Sequence, residues 1–105
     1  MTLDGRNFQG VFIPKGETKG DADTLIFTNG RFQSTACTTY GYGDAPYRLA
    51  KVGDAMHFEA DTESKQYGKL LWRGVVRGNK LDATATMVRA GSPDTENWVV
   101  ASDKR

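Results

Sequence analysis

A single cysteine, Cys37, stands in a chain of 105 residues, so no intramolecular disulfide holds the fold together. That shortage does not fix a compartment, because a well-packed small barrel needs no bridges. Apolar residues are scarce too, at 38%, and no uninterrupted apolar run is long enough to span a bilayer. Neither sign of charge dominates: fourteen Lys and Arg face thirteen Asp and Glu, spread along the whole length. Without a basic stripe or an acidic run, nothing steers the chain toward phosphate backbones. The opening "MTLDGRN" lacks a charged segment followed by an apolar stretch, so it does not read as a signal peptide. A mature N-terminus left by cleavage would look the same, which leaves cytoplasm, periplasm and exterior all open. Helical periodicity is missing as well, since no adequate window carries apolar residues at i, i+3, i+4 and i+7.

What is present is turn chemistry. Asn29-Gly30, Gly53-Asp54 and Gly78-Asn79 each separate two runs of alternating polarity. They put residues tolerant of positive φ where hairpins of type I′ and II′ need them. The segments read as about eight strands in an antiparallel meander: Asn7–Ile13, Thr24–Thr28, Arg31–Cys37, Tyr47–Val52, Ala55–Asp61, Lys69–Arg77, Lys80–Val88 and Asn97–Ser102. Longer connections fall at "PKGETKGDAD", "TTYGYGDAP" and "GSPDTE". No linker or repeat divides the chain, so residues 1–105 form one domain.

Alternation assigns the faces. Leu25 and Phe27; Met56, Phe58 and Ala60; Leu70, Trp72, Gly74 and Val76; Leu81, Ala83, Ala85 and Met87; and Trp98 with Val100 are expected to share one interior. Their neighbours, among them His57, Glu59, Asp61, Arg73, Asp82 and Thr84, suit a solvated outside. Leu71 and Val75 break that rule, and a dimer contact or the folded first loop could cover them. An apolar-faced meander must close or stack, and about eight strands close around either a side-chain-filled core or one small ligand. Small residues (Ala36, Ala60, Gly74, Ala83, Ala85) alternate with large ones (Phe27, Phe58, Trp72, Met87, Trp98), which fits both outcomes.

The first strand, "FQGVF", resembles that of the calycins, the lipocalin, fatty-acid-binding and avidin group. The resemblance implies an up-and-down barrel whose first-strand aromatic, following a glycine, plugs the closed end; here phenylalanine stands where those families usually have tryptophan. The stretch from Thr24 to Phe58 is similar to the META-domain pattern of bacterial heat-shock lipoproteins, although Ala36-Cys37-Thr38 replaces their Gly-Cys-Asn. The whole chain also resembles small uncharacterised bacterial secreted proteins with Ala-Cys, Tyr-Gly-aromatic-Gly and Ala-Pro-Tyr patterns. None of these resemblances carries over a catalytic residue.

Three constellations invite chemistry. Cys37 could be a nucleophile only with a base in reach, and the lone histidine, His57, sits on an outward parity while Cys37 falls opposite Phe32, Ser34 and Ala36. An inert thiol is the simpler reading. His57, Glu59 and Asp61 project together but make a poor metal set without a fourth ligand. Arg73, Arg77 and Arg89 have acidic neighbours in Asp61, Glu63 and Asp82, so cross-strand charge pairing accounts for them better than nucleic acid does. The expectation is therefore an all-β, calycin-like barrel without cofactor or metal, acting as a non-enzymatic binding protein for a small apolar ligand. The ligand would pass Tyr40, Tyr42 and Tyr47, in the glycine-rich loop, and touch Phe58, Trp72, Met87 and Trp98. The competing expectation is an interaction or structural module with a filled core, working through an outer sheet face or edge, for instance as a homodimer.

Overall fold

The computed structural model describes residues 2–103. Eight strands follow one another around a closed barrel: β1 (Asn7–Ile13), β2 (Asp21–Thr28), β3 (Arg31–Ser34), β4 (Ala45–Val52), β5 (Ala55–Ser64), β6 (Gly68–Arg77), β7 (Lys80–Val88) and β8 (Thr95–Asp103). Every neighbour pair is antiparallel, and β8 returns to β1 from Phe8↔Asp103 to Ile13↔Trp98. The arrangement is up-and-down and calycin-like. Among the described residues every strand has a bonded neighbour on both sides, so no whole strand is left as a free edge.

Tight hairpins form where the sequence asks for them. Asn29 and Gly30 both take positive φ, 52° and 72°, the requirement of a type I′ turn. Gly10, the glycine of "FQGVF", has a different reason to lack a side chain. A Cβ there would run into the Val100 and Ala101 backbone, so the β1–β8 seam closes tightly only around glycine. Gly74 leaves room for the Phe58 ring in the same way, one layer further in.

The centre is filled. Phe27 packs against Phe8, Phe32, Tyr47 and Phe58 at centroid distances of 5.9, 5.2, 5.0 and 5.1 Å. Phe32 extends the cluster to Trp72 at 4.9 Å. Such tilted and edge-on contacts each add about 0.5–1.5 kcal/mol beyond the area they bury. Opposite walls contribute Ala60, Ala83, Ala85 and Ala101, small residues matched to large rings.

Two expectations are corrected. Trp98 and Val100 point outward, 42% and 51% exposed; Asn97, Val99, Ala101 and Asp103 face the interior instead. The reason is register. Ala85, Ala83 and Leu81 already look inward, and their partners across β7–β8 are Asn97, Val99 and Ala101. With aromatic rings filling the axis, only modest side chains fit at those places. The second correction concerns the third strand, which stops at Ser34. A single helical turn, α1 (Thr35–Thr38), follows and rotates Cys37 into the interior, where it is 6% exposed.

Candidate functional site

The two ends of the barrel differ in how they are closed. At the end with the tight hairpins, the N-terminal segment lies across the opening. Leu3 is fully buried, Gly5 N–H donates to the Phe27 carbonyl at 2.8 Å, and Phe8 sits beneath the Arg6 guanidinium at 4.8 Å. Tyr47 belongs here. Its hydroxyl donates to Asp4 at 2.7 Å, accepts from the Leu3 N–H at 3.0 Å and lies 3.0 Å from Thr2 Oγ1. Arg6 pairs with the buried Asp103 at 2.8 Å and reaches the Gly78 carbonyl. The expected doorway role of Tyr47 is thus corrected: it fastens the sealed end, because the parity of β4 turns it toward Phe27 and the N-terminal strap.

The other end carries α1 and the longer connections, and it is open. A cleft of about 520 Å³ lies there, lined by Phe12, Asp21, Cys37, Tyr40, Tyr42, Tyr67, Leu70, Met87 and Asn97 among others. Its size falls within the range of small-molecule sites. Tyr40 and Tyr67 meet edge to face at 5.9 Å to make one wall. Phe12 makes the opposite wall and rests edge-on against Trp72 at 6.1 Å. The glycine-rich loop is pinned over this opening: Ser64 Oγ donates to the Tyr40 carbonyl at 2.9 Å, and Gly43 N–H donates to the Glu63 carbonyl at 3.4 Å. Gly41, at φ 86°, turns the chain so that Tyr40 stands out (54% exposed) while Tyr42 turns in (4%).

The polar groups around the cleft are unevenly satisfied. Asp23 is buried but well held, accepting from Ser34 Oγ at 2.7 Å and from the Ala36 N–H at 3.0 Å. Burial nevertheless raises its carboxyl above the usual range, against the lowering effect of those bonds. Asn97 donates to the Ala85 carbonyl and accepts from the Lys15 N–H. Burial lifts the Cys37 thiol to about 11, so it is a neutral thiol at physiological pH. Tyr42 differs: its hydroxyl is fully enclosed and has no partner among the described residues, and desolvation raises its pKa. Trp72 Nε1, deeper in, is also unpartnered. An unsatisfied buried donor costs about 1–3 kcal/mol.

Of the residues picked out from sequence, Tyr40, Tyr42 and Met87 line this cleft. Phe58 and Trp72 belong to the packed centre, and Trp98 lies on the outer wall. Phe12, Asp21, Tyr67 and Asn97 were not foreseen. A signal existed for Asp21 and Asp23, which share the inward parity of Leu25 and Phe27. Cys37 and His57 are not brought together, since His57 lines the outer surface. Glu59 and Asp61 are taken up by Arg48 and Arg73, with Arg73 3.5 Å from Glu59 and 3.4 Å from Asp61.

On the outside, a shallow hollow of about 350 Å³ runs along β7, whose short Asp82 and Thr84 lie between Arg73 and Val75 on one side and Trp98 and Val100 on the other. Val11, 39% exposed, continues this apolar surface from β1. No helix among the described residues is long and apolar enough to cross a membrane. No protein-family model matches the chain, and comparison with curated proteins and with solved structures returned no match.

Proposed function

We propose that the protein is a non-enzymatic binding protein that receives a small, largely apolar ligand in the open-end cleft. The observation that carries this reading is the Tyr42 hydroxyl, enclosed beside the cleft with nothing to bond to. A ligand with one polar atom on an apolar body would relieve that cost once the Tyr42 ring turned its hydroxyl, closed to solvent in the free protein, toward the cleft, while covering Phe12, Tyr67, Leu70 and Met87. The site is displaced from the barrel axis, because the aromatic cluster already fills the axis. Kinship with small bacterial calycin-like proteins belongs to the same proposal and is supported by the strand order, although Phe12, the aromatic that follows Gly10, lines the open cleft and not the sealed end. The test is a titration with apolar probes, following the Met87 methyl resonance with Met56, outside the cleft, as a reference. Binding should move Met87 alone and weaken several-fold in Tyr42→Phe. A Met87 signal indifferent to every probe would sink the reading.

A second reading rests on the outer wall: Trp98, Val100 and Val11 form a contiguous exposed apolar surface, and large patches of this kind mark interaction sites. A second copy of the chain is the occupant proposed. The wall offers it both signs of charge, already paired at Arg73 and Glu59, so no net field repels a like molecule. Sedimentation equilibrium should show a dimer that Val100→Lys dissociates; a monomer at every concentration rejects it.

A further inference from the structure

The cleft is one-sided in its chemistry. Four aromatic rings, Phe12, Tyr40, Tyr42 and Tyr67, surround it, and among the described residues its only charged lining residue is a carboxylate, Asp21. Asp21 lies directly across from Phe12 in the β1–β2 register and on the same face as Asp23, two residues deeper. Among the described residues no lysine or arginine lines the space. Arg89 is exposed, and only its field reaches Tyr42. Aromatic faces carry negative quadrupole charge and attract cations, most strongly where water is excluded. A carboxylate at the rim adds attraction for the same sign.

A carboxylate or phosphate ligand would meet the opposite conditions: ring faces that repel it and Asp21 at its doorway. A neutral apolar ligand would leave Asp21 without a role. We infer that the cleft selects an organic cation, a primary or methylated amine on an apolar body of about one aromatic ring, enclosed between Phe12 and the Tyr40–Tyr67 pair with its charge toward Asp21. This rests on the cleft reading above and names the ligand class for it.

Three probes of nearly equal shape separate the possibilities: phenethylammonium, 2-phenylethanol and 3-phenylpropanoate, each titrated while the Met87 methyl is observed. The ammonium should bind at least about 10-fold more tightly than the alcohol, and the carboxylate most weakly. Asp21→Asn should cost the ammonium about 5-fold and leave the alcohol unchanged, whereas Arg89→Ala should tighten the ammonium slightly. Equal binding of ammonium and alcohol overturns the cation proposal and leaves the cleft reading standing. Tightest binding by the carboxylate overturns it in favour of Arg89. Silence from all three probes, together with unchanged thermal stability, overturns both.

Discussion

Tyr47 and Tyr42 sit at opposite ends of one barrel and differ in how their hydroxyls are satisfied. The Tyr47 hydroxyl is surrounded by Thr2, Leu3 and Asp4, and every group around it serves closure. The Tyr42 hydroxyl is at least as deeply placed and has no partner among the described residues. One end has converted its polar groups into stability. The other keeps an uncompensated hydroxyl at Tyr42, as the packed centre keeps an uncompensated N–H at Trp72 Nε1.

Truncation gives the widest contrast. Phe27→Ala, in the sealed half, should lose about 3–5 kcal/mol in urea unfolding. Met87→Ala, at the half-buried rim of the cleft, should lose about 1 kcal/mol, since part of its surface already meets water. Similar losses at the two sites would abolish the distinction between a packed and an open half.

Hydroxyl removal sharpens the contrast to a difference in sign. Tyr47→Phe should destabilise by about 1–2 kcal/mol, because it strands the Leu3 N–H and takes one of two donors from Asp4, which keeps the Gly30 N–H. Tyr42→Phe should be neutral or stabilising by up to about 1 kcal/mol in the free protein, because it deletes an orphan. A matched loss from both would mean that Tyr42 has a partner in solution.

The smallest effect is in pH dependence. The folded Asp23 carboxyl has its pKa raised above the ordinary value of 3.8 by burial. Its contribution to stability is therefore fully present below that value and is lost as pH rises through the folded-state pKa. The difference in stability between the wild type and Asp23→Asn, followed from pH 3 upward by chemical denaturation, should shift against the wild type as pH rises. A difference that moved the other way would show that the hydrogen bonds to Ser34 and Ala36 outweigh burial.

Much of this was legible in the chain. The three dipeptide turns, the strand alternation and the first-strand glycine led directly to an up-and-down barrel, with β1 and β7 bounded as expected. The failures have a common origin. Trp98 and Val100 look like interior residues by size, but the closing strand takes its parity from two neighbours at once, and that constraint is invisible until closure is known. Tyr40, Tyr42 and Tyr47 are close in sequence and look alike there. Gly41 and the pleat of β4 send them to three different surroundings, and only a backbone path can separate them. Cys37 turned inward because α1 interrupts the alternation, a local event with no strong sequence mark. Asp21 and Tyr67 were missed because a cleft between loops draws its lining from distant elements.

The helical turn after Ser34 has one more consequence. By ending β3 early it leaves that strand joined to β4 by only two residue pairs, Arg31↔Pro46 and Phe32↔Ala45, against ten between β5 and β6. The wall of the cylinder is therefore thinnest beside α1, where amide protons should exchange with solvent first. A bulky guest could part the staves there while the aromatic plug below holds its shape.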